Sequence, residues 1–186
     1  EWPPVWEALA EAAAHGAQQP KYINCRHEAV AVAMAAGYTK VTHRPQVVML
    51  HATAGPLNAA MTLRAALHER TPMVILSGEI AAYGENTKVA DPGGQWLHDL
   101  TDLGGSPDLL RSCVKWADRI SSAEVLGSTI ERGVRIATEP PAGPVLIGIP
   151  FECMMEEVSF VDHGKPNEVV RAHEVRQELR GCAGPG

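Results

Sequence analysis

Two hydrophobic patterns alternate along the chain. Gln46–Leu50 (QVVML), Pro72–Leu76 (PMVIL) and Val145–Ile149 (VLIGI) are short apolar runs with no polar face, as expected of strands covered on both sides. Longer, Ala-rich segments predict helices over Trp6–His15, His27–Tyr38, Pro56–Arg70 and Ala123–Thr138. Their punctuation agrees: Gly16 closes the first, Pro56 suits an opening helical position, and Ile130, Val134 and Ala137 share one face of the last. Tyr22–Cys25 and Val114–Trp116 fit short strands. Strand and helix in turn predict an α/β fold on a parallel sheet.

Elsewhere the pattern lapses. Ile80–Gly105 is glycine-punctuated, poor in apolar residues and reads as loop. Beyond Pro150 the chain turns charged and Gly/Pro-rich, with helical spacing only over Ala172–Leu179. Residues 1–151 therefore read as one domain and 152–186 as a linker leaving it. A start at Glu1-Trp2-Pro3-Pro4 and an end at Gly184-Pro185-Gly186 suggest a piece of a larger assembly.

Charge narrows the choice of partner. With 16 Lys+Arg against 22 Asp+Glu the net charge is −6, and no basic run offers a stripe for nucleic-acid phosphates. No apolar stretch is long enough for a membrane span. The four cysteines have no CxxC spacing, which suits reduced thiols in a cytoplasmic protein. The second and third helices are dense in small residues (Ala29, Ala31, Ala33, Ala35, Ala36, Gly37; Ala59, Ala60, Ala65, Ala66). Two readings stand: helix propensity with burial on the sheet, or helices held between their own sheet and another subunit.

Candidate chemistry gathers where strands end and helices begin, the edge where open α/β sheets bind ligands. Glu28 opens an Ala/Val helix, where a carboxylate also complements the helix dipole. Ala31 stands where HExxH needs its second His, which excludes that zinc site. In the turn His51-Ala52-Thr53-Ala54-Gly55-Pro56-Leu57-Asn58, both GxGxxG and GxxxxGK[ST] are missing. His51 there is either a structural histidine or an acid/base, since imidazole titrates near neutral pH. Gln95, in the Gly93-Gly94-Gln95-Trp96 loop, is a third candidate beside a plain solvated amide.

Together these segments resemble one family. Arg26-His27-Glu28-Ala29 running to Ala36-Gly37-Tyr38-Thr39 is similar to the RHE…A-x-G-Y-A motif in the pyrimidine-binding domain of thiamine-diphosphate (ThDP) enzymes. Leu50-His51-Ala52-Thr53-Ala54-Gly55 with Asn58-Ala59 resembles the corresponding turn of the benzoylformate decarboxylases. Val114-Lys115-Trp116 and Gly143-Pro144-Val145 through Pro150 follow in family order.

The resemblance implies a three-layer sandwich, a central parallel sheet flanked by helices. It implies that Glu28 contacts the cofactor's aminopyrimidine and promotes its imino tautomer by sharing a proton through a charge-assisted hydrogen bond. Gly55 and Asn58 would shape the turn beside the cofactor, His51 would handle the substrate's proton or carboxylate, and Gln95 would face the substrate. The expected activity is a 2-oxo-acid decarboxylase or carbon–carbon lyase. An acetolactate-synthase-like carboligase is the alternative, since Thr53 to Pro56 has that subgroup's flavour while His51 does not. A non-catalytic oligomerisation domain of the same fold is another. The family's Gly-Asp-Gly motif, through which Mg²⁺ clamps the diphosphate, occurs nowhere in the sequence. The implied partner is therefore the diphosphate-binding domain of a neighbouring subunit, in a homodimer or homotetramer. FAD, as in the acetolactate synthases, would depend on a middle domain.

Overall fold

A computed structural model describes residues 2–16, 20–79 and 104–156. Four strands, β1 (Gln46–Leu50), β2 (Met73–Glu79), β3 (Trp116–Arg119) and β4 (Pro144–Pro150), form one parallel sheet in the order β1-β2-β4-β3. The helices are α1 (Pro3–Ala14), α2 (Glu28–Thr42), α3 (Ala54–His68), α4 (Gly105–Leu110), α5 (Leu126–Thr138) and α6 (Phe151–Met155).

Strand alternation divides the core into two. Val48, Leu50, Met73, Ile75, Ala117 and Leu146 face one side, with Val32, Ala35 and Ala36 of α2, Ala59, Leu63 and Ala66 of α3, and Leu110 of α4. Val74, Leu76, Val145, Ile147 and Ile149 face the other, with Trp2, Val5, Ile130, Val134, Ala137 and Cys153. Connectivity explains the split. The chain steps β1 to β2 to β3 in one direction, then returns from β3 to β4. Right-handed crossovers put the connecting helix on opposite faces for opposite steps, so α3 and α4 share one side and α5 takes the other. This is the three-layer α/β sandwich expected.

Local differences from the sequence pattern have physical causes. The first helix starts early, because Pro3 and Pro4 occupy opening positions that need no N–H. It ends as expected, with Gly16 at φ +67. Tyr22–Cys25 is not a strand; Tyr22 and Ile23 stand about half exposed. The helix expected over Ala123–Thr138 opens instead with a 3₁₀ turn, Ala123–Val125, capped by the Ser122 hydroxyl. The third strand lies further along than Val114–Trp116. Val114 fills the core, and the Lys115 ammonium reaches the carbonyls of Ile136 and Glu139 at the end of α5. Glu152 and Cys153, grouped by composition with the tail, are buried in α6.

Gly148, mid-strand in β4, permits a close approach. A Cβ there would lie 3.0 Å from Pro107 Cγ and 3.1 Å from Glu79 Cγ, so α4 and the end of β2 depend on its absence. Leu63, fully buried between α3 and the sheet, is the side chain on which that layer closes. Leu63→Ala is expected to cost about 2–5 kcal/mol in chemical denaturation. A loss under about 1 kcal/mol would contradict this packing.

Candidate cofactor site

The site begins with a cap. His27 is the extended residue before α2, and its Nδ1 accepts the Ala29 N–H at 3.1 Å. An Nδ1 that accepts cannot carry a proton, so its 3.9 Å approach to Glu28 Oε2 is not an ion pair while the cap is made. Histidine is not among the usual capping residues, so sequence gave no sign of this role. The cap sets Glu28 in the first turn of α2, where unsatisfied N–H groups favour negative charge. Its side chain is 30% exposed, and Oε2 accepts from Asn58 Nδ2 at 3.3 Å.

The turn from β1 into α3 lies against this carboxylate. Ala52 is buried at φ +38, a left-handed conformation costly for a residue with a Cβ. Gly55 N–H returns to the His51 carbonyl at 2.9 Å, closing the turn. A Cβ on Gly55 would meet Leu50 Cβ at 3.3 Å and Glu28 Cγ at 3.6 Å. Glycine thus lets the turn pack on the stem of Glu28. Glu28, Gly55 and Asn58 come together; His51 stands exposed at the end of β1, on the same carboxyl edge of the sheet. Gln95 lies outside the described residues. No group of three or more His, Cys, Asp or Glu that would hold a metal ion occurs among the described residues. Nor is any described helix long and apolar enough to cross a membrane.

Sequence reasoning missed a second carboxyl. Glu79 ends β2 yet is only 2% exposed. Its Oε2 accepts the Ser106 N–H at 3.1 Å, while Oε1 is buried without a hydrogen bond. Gly105, at φ +65, leaves room for this carboxyl where a Cβ would collide with it. Burial raises the pKa of Glu79; hydrogen bonds from Ser106 and Ser77 and the charge of Arg119 oppose this without cancelling it. The available signal was a Glu closing a strand buried at every position. Burial, with the charges of Glu152 and Glu156, also pushes the Cys153 thiol up to about 11, which leaves it un-ionised near neutral pH.

A carboxylate at a helix N-terminus, set against a glycine turn on the carboxyl edge of a parallel α/β sheet, defines a class of ligand-binding domain. Comparison with known proteins supplies the family. Residues 3–102 match the thiamine pyrophosphate enzyme family, N-terminal TPP binding domain, and the chain belongs to that family. It is 31% identical over 130 residues to mitochondrial acetolactate synthase of Schizosaccharomyces pombe, covering 70% of this chain and 18% of that protein. It is 28% identical over 167 residues to benzoylformate decarboxylase of Pseudomonas aeruginosa, covering 89% of this chain and 28% of the relative. Among solved structures, benzoylformate decarboxylase from Polynucleobacter necessarius superposes with a TM-score of 0.62 at 25% identity, over 76% of this chain and 25% of that one. The chain thus spans less than a third of the curated relatives it matches.

Glu79 has a testable pH signature. Its carboxyl stays protonated on folding at pH values where the unfolded chain has begun to ionise. The stability it confers is full below the unfolded value, about 4.3, and is lost as pH rises through the folded one. Glu79→Gln keeps the neutral shape and removes the titration. Measured by denaturation across a pH series, the variant should gain on the wild type by up to about 1.4 kcal/mol per pH unit as pH rises from the unfolded value towards the raised folded one, and by nothing further above it. A pH-independent difference would refute the assignment.

Proposed function

We propose that this chain is the pyrimidine-binding domain of a ThDP-dependent 2-oxo-acid decarboxylase or carbon–carbon lyase, with Glu28 as the group that activates the cofactor's aminopyrimidine. The single observation that carries this reading is the Glu28 carboxylate, fixed at the N-terminus of α2 by the His27 cap and joined at 3.3 Å by Asn58. The turn beside the carboxylate has to stay small, since a Cβ at Gly55 would press on Leu50 and on the stem of Glu28.

When bound, thiamine diphosphate supplies a nucleophilic carbon for attack on a 2-oxo acid's carbonyl. Glu28 would share a proton between its carboxyl and a ring nitrogen of the bound cofactor through a charge-assisted hydrogen bond. Asn58 donates to Oε2 and so fixes which carboxyl edge remains for the ligand. His51, exposed at the end of β1, serves in proton transfer or in orienting the substrate carboxylate. Mg²⁺ and the diphosphate belong to a diphosphate-binding domain of a neighbouring subunit. An acetolactate-forming carboligase is the second reading, favoured by the 31% identity to the yeast enzyme. FAD would accompany that reading.

The partner meets the outer face of α2 and α3. Val30, Met34, Tyr38 and Val41 recur at helical spacing along α2, each about half exposed or more, and Leu57 and Met61 on α3 are likewise exposed. That is a large apolar surface for a chain spanning less than a third of its relatives.

Two experiments in the full-length protein test the reading. Glu28→Gln keeps shape but not proton exchange, and C2 hydrogen–deuterium exchange of bound cofactor should slow by about 10²-fold or more. Exchange as fast as wild type, with cofactor binding confirmed by calorimetry, would sink the role of Glu28. Met34→Asp with Met61→Asp should break the assembly, read by sedimentation equilibrium, while circular dichroism is retained. An unchanged oligomer would remove this face as the contact.

A further inference from the structure

The peptide carbonyls on either side of His51 are both held from outside their own turn. The indole Nε1 of Trp2 donates to the Leu50 carbonyl at 3.0 Å, across 48 residues of sequence. The Ser77 hydroxyl donates to the Ala52 carbonyl at 3.4 Å and also lies 3.1 Å from Ser106 Oγ and 3.2 Å from the Gly78 carbonyl. Both side chains are buried, Trp2 at 5% and Ser77 at 0% exposure. Between the two contacts stand His51 and the left-handed Ala52.

Such a backbone state persists only where its surroundings over-determine it. The turn's own bond, Gly55 N–H to the His51 carbonyl, fixes only one peptide. Trp2 fixes the peptide entering His51 and Ser77 the one leaving Ala52, so the two residues between, His51 and Ala52, have little freedom to rotate as a unit. The Ser77 contact is long and its hydroxyl is shared, since it also donates toward Ser106 Oγ and the Gly78 carbonyl; Ser106, itself fully buried and tied to Glu79 through its N–H, keeps that hydroxyl in place beside Ala52.

We infer that Trp2 and Ser77 are positioning residues for His51: a two-sided carbonyl clamp that aims an exposed imidazole from a strained turn. This rests on the reading of His51 as a group that acts on substrate.

The test uses the full-length protein with Trp2→Phe, which keeps an aromatic ring in the core but removes the donor, and Ser77→Ala, which leaves Trp2 packing intact. Each should split or broaden the His51 ring cross-peak in ¹H–¹³C NMR, leave the other histidines unmoved, and lower kcat by roughly 10- to 100-fold with KM within about two-fold. Because either loss frees the same turn, the double variant should be little worse than the singles. Lowered thermal midpoints with an unmoved His51 peak and unchanged kcat would reduce both residues to packing and overturn the clamp. His51→Ala with full activity overturns the reading beneath it instead, a result the NMR spectra cannot produce.

Discussion

The structure depends on the pairing of β2 with β4. Seven residues of each strand run parallel in register, from Met73 opposite Pro144 to Glu79 opposite Pro150, and every one of the fourteen is buried. A strand covered on both faces must satisfy its backbone within the ladder and has no place along its length for a hydrated group. Chemistry is thereby driven to the carboxyl edge. Ser77 and Glu79 mark the transition: still buried, already polar, and answered by Ser106 from α4. The outer strand β1 hands its final residues to the turn that carries His51.

From that edge the rest of the site follows by packing. α2 lies on α3 through Val32, Ala35, Ala36 and Ala59, so its N-terminus comes to the end of β1. Small residues let the two helices and the sheet approach together, and Gly55 extends that closeness into the turn, against Leu50 and Glu28. One Cβ at Gly55 would press on both neighbours. The carboxylate is therefore placed by steric allowance as much as by its hydrogen bond, which at 3.3 Å is a modest one.

Much of this was legible in the sequence, because burial writes itself into residue type. QVVML needs no context to read as a two-sided strand, and the observed β1 has those bounds. His51, Gly55 and Asn58 drew notice as polar or special residues at a strand-to-helix junction, a rule of fold rather than of local propensity, whereas Glu28 drew notice by the same rule although the segment before it, Tyr22–Cys25, is not a strand. Pairings between distant residues were not legible. Trp2 looked like an end residue until its indole reached Leu50, and Glu79 lay beyond the expected strand Pro72–Leu76 and drew no notice, although Gly105 and Ser106 enclose it. Glu152 misled because composition averages a segment, whereas burial is decided residue by residue: α6 seats Cys153 and Glu152 inside while Met155 and Glu156 stay exposed.

The two faces of α2 make opposite demands. Its inner face is Val32, Ala35, Ala36 and Thr39, closed on the core; its outer face is Val30, Met34, Tyr38 and Val41, open. A surface helix of a self-sufficient domain places charge on its outer face, yet this one places its only acid, Glu28, at the end that meets the turn. Proton sharing with a ring nitrogen requires that water not compete for the carboxylate, and at 30% exposure Glu28 is still reached by solvent. Within the proposed reading, one event would meet both demands. A second domain seated on the outer faces of α2 and α3 would bury the apolar stripe, and its edge would close over the helix N-terminus that presents Glu28. On that reading, assembly and the dryness of the Glu28 carboxylate would become a single requirement, joining the apolar stripe to the helix that carries the acid.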